Sequence, residues 1–224
     1  MVGPTTRGLL GALGRADADA LSSLGVERRL PANSVIFHEG DAGDRFVVLL
    51  EGRVKATTYS LDGREVLLNI QGPGEAVGLA GAIDGGGRSA SVIAIDAVRF
   101  VSISTEQLRE FVHADPDRAF VVMEELVAWF RRANRRQVEF GTLGALGRVA
   151  RQLAFLADDF SEPSAEGLAL TIPVSHQDLA NWVGASREAV GKAMQQLERL
   201  GALTTTGRRK LVVLDVEILR TVGE

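Results

Sequence analysis

The chain has 224 residues, of which 46% are apolar and 24% charged, with a net charge of −4 and no cysteine. That length accommodates two domains of common size, and the apolar content supplies more than one core, which excludes a disordered chain. The lack of cysteine excludes disulfides, thiolate catalysis and Cys-ligated iron–sulfur or haem sites, and the negative charge excludes indiscriminate coating of DNA.

The N-terminus, MVGPTTRGLLGALGRADADAL, is broken by Gly11, Gly14 and Arg15 and makes a poor signal sequence. No apolar run approaches the roughly 18 residues of a membrane span, so cytoplasmic residence without a membrane partner is expected. Residues 8 to 25 read as a helix, with Leu9, Leu10, Leu13, Leu21 and Leu24 apolar and Gly25 as the stop. From Glu27 to Ser104 the texture changes to short β-prone runs: Ser34 to Phe37, Phe46 to Leu50, Val54 to Tyr59, Glu65 to Ile70, Val92 to Ile95 and Val98 to Ile103. Asp62-Gly63 between two of them is a hairpin signal, and many short strands with glycines at the corners predict a small antiparallel barrel or roll enclosing a pocket.

Thr105 to Val112 has helix character, and Pro116 heads a longer helix to about Phe140. Along it Phe120, Met123, Val127, Phe130, Asn134 and Gln137 recur at spacings of 3, 4, 3, 4 and 3, while Arg131, Arg132, Arg135 and Arg136 crowd the other faces. That is a heptad seam and predicts a dimer helix, although a core-facing helix of a monomer carries the same rhythm. Gly141, Gly144 and Gly147 then read as a hinge before a helix from Arg148 to Ala157, and residues 158 to 170 read as a polar connector leading to Leu170-Thr171-Ile172.

The stretch VSHQDLANWVGASREAVGKAMQQLERLG, from Val174, parses as two helices joined at Gly184-Ala185. Ser175, with Asp178 three residues on, caps the first and Ser186 the second. Leu179, Trp182 and Val183 form one inner face, and Val190, Met194 and Leu197 the other. Arg187, Glu188, Gly191 and Lys192 are left outward on the first turns of the second helix, as in a helix-turn-helix that presents a recognition helix to the major groove; an ordinary αα-hairpin with a solvated face is the plainer alternative. Residues 141 to 224 carry nine Lys/Arg against ten Asp/Glu, so any DNA footprint is local: Arg187, Lys192, Arg199 and Arg208-Arg209-Lys210. The last run sits between β-prone Leu203 to Thr206 and Leu211 to Leu214, which makes a wing whose tip, with Arg209 and Lys210, meets phosphate.

In chain order, FHEGDAGDRFVVLLEGRVK, DGRE, PGEAVGLAGAIDGGGRSASV, GRVARQLAFLA and LANWVGASREAVGKAMQQLE resemble the cyclic-AMP receptor protein and fumarate-nitrate regulator (CRP/FNR) family of bacterial transcription factors, from Leu9 to about Leu214. The resemblance implies an α+β chain: an N-terminal antiparallel β-roll of the cyclic-nucleotide-binding kind over 1–115, a long dimerisation helix over 116–140 and a C-terminal winged helix-turn-helix over 141–224. It implies a homodimer reading a palindrome in double-stranded DNA, with RNA polymerase as a further partner. Arg187 would give the bidentate contact to a guanine edge, and Glu188 would accept from a cytosine or position Arg187. Lys192, where the family often has arginine, would read a base or bind phosphate, and Ser186, His176 and Gln177 match positions near the backbone or outer bases.

At the effector end the matching residues are Gly78-Leu79-Ala80 and Arg88-Ser89-Ala90, with Asn134 on the long helix. Arg88 and Ser89 suit a phosphate, which implies a cyclic nucleotide or another small anionic effector and no certain cofactor. Leu79 departs from the pattern, because it stands where an acidic residue would hold a ribose hydroxyl. An unpaired hydroxyl buried against it would cost about 1–3 kcal/mol, which argues against cyclic AMP held in the usual way. The plainer alternative is a degenerate pocket with Arg88 paired to a nearby carboxylate.

No GxSxG, Walker A, HExxH or GxGxxG stretch occurs in its required context, so no enzyme is expected. His38, His113 and His176 are scattered, which argues against haem and zinc sites. Two readings remain: an effector-controlled transcription regulator, and a binding or interaction module that has lost DNA reading.

Overall fold

The computed structural model describes residues 8–206 and 210–224. Arg208 and Arg209, expected at the tip of a wing, lie outside the described residues. The chain divides into two compact units, Met1–Arg132 and Ala133–Glu224.

In the first unit, α1 (Gly8–Leu24) precedes eight antiparallel strands: β1 (Val26–Leu30), β2 (Val35–Phe37), β3 (Arg45–Glu51), β4 (Val54–Tyr59), β5 (Glu65–Gln71), β6 (Ala76–Val77), β7 (Ser91–Ala94) and β8 (Val98–Ser104). They form two four-stranded sheets, ordered β1-β8-β3-β6 and β2-β7-β4-β5. The apolar run Phe46 to Leu50 has both faces covered, the pattern of a strand between two layers. Val47 and Leu49 face an inner cluster with Phe37, Val54, Val92 and Phe100. Phe46, Val48 and Leu50 face an outer cluster built from α1, α2 (Leu79–Asp84), α3 (Thr105–Ala114) and the start of α4 (Asp117–Thr142). Burial of some nine aliphatic and aromatic side chains on the inner face alone excludes much water, at about 1.5–3 kcal/mol each.

Three elements here carry no sequence signal. β1 reads Val-Glu-Arg-Arg-Leu, is mostly exposed, and exists through its register with β8, from Val26 opposite Ser102 to Leu30 opposite Val98. β6 is two residues long, and α2 follows Gly78, whose φ of 81° turns the chain sharply out of β6. Arg118, in the first turn of α4, fastens that helix to the unit. Its guanidinium donates to Asp17 Oδ1 at 2.7 Å and to the Phe111 carbonyl at 2.9 Å, over the Phe111 ring.

The second unit holds the end of α4, then α5 (Ala145–Asp159), β9 (Ser161–Pro163), β10 (Leu168–Leu170), α6 (His176–Val183), α7 (Arg187–Arg199), β11 (Leu203–Thr206), β12 (Lys210–Val213) and α8 (Val216–Val222). Two expectations are corrected. The stretch 158–170 is no plain connector: Leu168 to Leu170 pairs with both β12 and β9, burying Ala169 and Leu170, and the sheet runs β11-β12-β10-β9. The glycine-rich hinge shrinks to Leu143 and Gly144. Gly147 is buried inside α5, where an added Cβ would lie 3.2 Å from the Val222 carbonyl, so it serves close packing against α8.

The helix pair forms as its capping residues dictate. Ser175 accepts from Asp178 N–H while the Asp178 carboxylate accepts from Ser175 N–H, a reciprocal cap, and Ser186 accepts from Ala189 N–H. Leu179, Trp182, Val183, Val190, Met194 and Leu197 are all buried, as their spacing predicts. The described residues thus show an α+β chain of antiparallel roll, long helix and helix-turn-helix followed by a β-hairpin. Among them no helix is long and apolar enough to cross a membrane.

Candidate nucleic-acid interface and effector site

α7 starts on a capped turn and buries one stripe, so its opposite face is open. Ser186, Arg187, Glu188 and Lys192 are exposed there, and among the described residues Arg187 makes no ion pair. Lys192 Nζ pairs with Glu188 Oε1 at 2.7 Å, one turn back on the same face. Such an exposed pair is weak and readily exchanged for an outside partner. α6 brings its N-terminus alongside: His176 and Gln177 are exposed, and Gln177 donates to Asn181 Oδ1 at 2.8 Å. A Cβ built on Gly191 would have His176 Nδ1, at 3.9 Å, as its sole neighbour within 4 Å. Arg187, Glu188, Lys192 and His176 therefore border one surface with a glycine between them. Lys210 opens β12, opposite Thr206, and is exposed; Arg209 lies outside the described residues.

The bare Gly191 has a measurable consequence. A mid-helix glycine costs about 1 kcal/mol relative to alanine, and the space at 191 is open. Gly191→Ala should raise stability by about that amount, a thermal midpoint shift of about 2–4 °C. A lower midpoint in thermal unfolding would show the site to be crowded.

Of the residues matched to an effector, Gly78 and Arg88 meet in the first unit, whereas Leu79 turns into the core and Asn134 belongs to the second unit. Arg88 is only 6% exposed. Its two terminal nitrogens donate to the Gly78 carbonyl at 2.9 Å and the Arg45 carbonyl at 2.5 Å, and its guanidinium lies 4.0 Å over the Phe37 ring. The nearest carboxylate oxygen, Asp44 Oδ1, is 3.9 Å away. Burial holds the Arg88 guanidinium below the usual arginine range, partly offset by Asp44. Its Nε has no hydrogen-bond partner. A charge so enclosed stays charged because two carbonyl dipoles and an aromatic face replace water.

Leu79 is 5% exposed and packs in the outer cluster with Leu9, Phe46 and Val122. Ala80 and Ser89 are exposed, and Ala90 is half-buried. Glu75, an acidic residue close by in sequence, has its carboxylate accepting from Gly72 N–H at 2.7 Å. Asn134 belongs to the second unit, where it is exposed beside an open cleft with Arg135, Val138, Leu143 and Arg151. Sequence reasoning could not find the Arg45 and Gly78 carbonyls that hold Arg88, because backbone acceptors have no residue signature; Phe37 had only its aromaticity to offer. On α4, Phe120, Met123, Val127 and Phe130 are all exposed.

Comparison with known proteins agrees with this division. The family model of the cyclic nucleotide-binding domain matches residues 27–115, and that of the Crp-like helix-turn-helix domain matches residues 147–222. A CRP-like cAMP-activated global transcriptional regulator of Mycobacterium tuberculosis is 33% identical over 182 residues, 81% of this chain and 81% of the relative. Among solved structures, FixK2 of Bradyrhizobium japonicum is similar in fold, with a TM-score of 0.78 at 21% identity over 89% of this chain and 98% of that one. The c-di-GMP responsive global regulator CLP of Xanthomonas campestris gives a TM-score of 0.73 at 25% identity over 88% and 97%. Roll, helix-turn-helix and an identity that runs through both place the chain in the CRP/FNR family of transcription regulators.

Proposed function

We propose that the protein is a dimeric, sequence-specific DNA-binding regulator that inserts α7 into the major groove of each half of a palindrome. The observation that carries this reading is the open face of α7, on which Arg187 is exposed and, among the described residues, without an ion pair, beside Glu188 and Lys192. Arg187 makes the bidentate contact to guanine O6 and N7, and Glu188 accepts from a cytosine amino group or steadies Arg187. Lys192, released from Glu188, reads a base or a phosphate; Ser186, His176 and Gln177 meet the backbone, and Arg209 and Lys210 meet phosphate from the wing. Phe120, Met123, Val127 and Phe130 form the seam between two copies. Residues 1–115 serve as the effector region, 116–140 as the dimer helix and 141–224 as the DNA-binding region, acting in the cytoplasm with RNA polymerase as the downstream partner.

Within that reading the roll answers to a small anionic effector. The M. tuberculosis relative is named for activation by cAMP and the X. campestris neighbour for response to c-di-GMP, which supports a nucleotide. The enclosure of Arg88 by two carbonyls and a phenyl ring favours a second reading, in which the roll is a scaffold and DNA binding needs no effector.

Selection of bound duplexes from a random pool, with and without cyclic nucleotides, tests both. A palindrome should emerge, and Arg187→Ala, which removes the contact from both half-sites, should weaken its binding about a hundredfold while leaving non-specific binding nearly intact. Enrichment that depends on an added nucleotide selects the first reading of the roll, and enrichment without one selects the second. A pool that yields no preferred sequence under any condition would sink the DNA-reading function.

A further inference from the structure

The end of α4 belongs to the same compact unit as the helix-turn-helix, and it touches that motif at its turn. Gly184 closes α6 in the left-handed region, at φ 60° and ψ 44°, and a Cβ there would lie 2.9 Å from Phe140 Cε1. The Phe140 ring thus occupies the space that any other residue at 184 would claim. On the ring sits the Arg148 guanidinium, 5.2 Å from the centroid, with Arg148 Nη1 donating to the Phe140 carbonyl at 3.3 Å. One turn earlier on α4, the Arg136 guanidinium lies 5.7 Å from the centroid of the Trp182 ring, and burial lowers its affinity for a proton. Trp182 in turn meets Phe155 edge-on at 5.8 Å. Glu139, between the two, pairs with Arg151 Nε at 2.6 Å.

Two residues a turn apart on one helix face therefore grip the last turn of α6 and the glycine that joins it to α7. We propose that Phe140, assisted by Arg136, is a positioning residue: seated on Gly184, it fixes the direction of α7 relative to the end of α4. The proposal rests on the reading of α7 as the recognition helix and of α4 as the dimer helix. A dimer reads a palindrome only if its two recognition helices are held about one DNA turn apart. The end of α4 is the element that can impose that spacing, and the Phe140–Gly184 contact delivers it to α7. Phe140 touches no base itself; it converts two half-site contacts into one two-site contact.

The test uses the full chain and two duplexes: the palindrome selected by the wild type, and the same duplex with one half-site scrambled. Phe140→Ala should leave half-site affinity within about twofold and lower palindrome affinity by about tenfold or more, because the second half-site loses its effective concentration. Phe140→Leu, which keeps an apolar group on Gly184, should restore most of the difference. A fall of both affinities by the same factor, as simple destabilisation gives, would overturn the proposal, as would no change in either.

Hydrogen exchange in the DNA-free protein separates this result from the reading it rests on. The Gly184 and Ala185 amides both donate to the Ala180 carbonyl. In Phe140→Ala they should exchange about tenfold faster while amides within α5 keep their rates, reporting a local opening. Unchanged exchange at 184 and 185 refutes the positioning role whether or not DNA is bound. A wild type that prefers no palindrome refutes the function of α7 while the exchange result still decides the contact.

Discussion

Leu79→Glu should destabilise the first unit by about 4 kcal/mol at neutral pH and create no site for cyclic AMP. Aligned on the family pattern, the substitution restores the acid that holds a ribose hydroxyl, and it is the first change a designer would try. Leu79, however, packs at the start of α2 among Leu9, Phe46, Val48, Phe111 and Val122. Glutamate there removes a core side chain and places a carboxylate in an apolar cluster. Its pKa would be raised in the folded state, so stability is favoured below the unfolded value near 4.3 and lost as pH rises through the folded value. The cost should therefore shrink in mildly acid solution. Urea unfolding at two pH values measures it, and titration calorimetry with cyclic AMP measures the site. An unchanged midpoint combined with micromolar binding would show that residue 79 faces a ligand and not the core.

The same residue shows what could be read ahead of the structure. Its mismatch with an acidic position is visible in the letters, but the reason is not: the side chain belongs to a cluster drawn from α1, β3, α3 and α4. The helix pair was legible because its signals are local. Ser175, Asp178, Gly184 and Ser186 act within one or two turns of themselves, and cap, turn and inner face all fell where spacing put them. β3 was legible because an unbroken apolar run of five residues needs cover on both faces. β1 was not, since two arginines and a glutamate form a strand only by pairing with β8, some seventy residues away in the chain. β9, β10 and α8 were missed for related reasons. α8 did leave a trace in Asp215, whose carboxylate accepts from Glu217 and Ile218 N–H.

The candidate sites divide in the same way. The residues of α6 and α7 proposed to meet DNA lie within seventeen positions, from His176 to Lys192, so their shared surface follows from periodicity once the turn is known. The Arg88 environment depends on the Arg45 carbonyl, 43 residues away, and on a ring that reads only as one more apolar residue. Phe140 and Gly184 each had an ordinary local reading, a helix-end aromatic and a turn glycine; their contact is a tertiary fact.

Val127→Asp should convert a dimer into monomers of 23.9 kDa and weaken palindrome binding at least a hundredfold. α4 carries two apolar faces. Val121, Val122 and Leu126 meet the outer cluster of the first unit, which accounts for one face. Phe120, Met123, Val127 and Phe130 lie on the other, between 46% and 65% exposed, and nothing within the described chain covers them. Four large apolar side chains in a continuous stripe with heptad spacing are what a partner helix buries, and scattered exposure would not keep that rhythm. In a symmetric seam residue 127 of each copy lies near its counterpart. Two aspartates would be desolvated together without a cation between them, a cost of several kcal/mol that corresponds to a factor of about a thousand in the dimer constant. Sedimentation equilibrium reads the mass directly. Val26→Asp, the same change at a 60%-exposed valine on β1, should leave the mass unaltered. Because α4 continues from this stripe into the turns that grip Gly184, loss of the dimer removes the common frame of the two recognition helices, and the palindrome should then bind no better than a single half-site. A Val127→Asp protein that keeps the dimer mass would show that the stripe is not the seam.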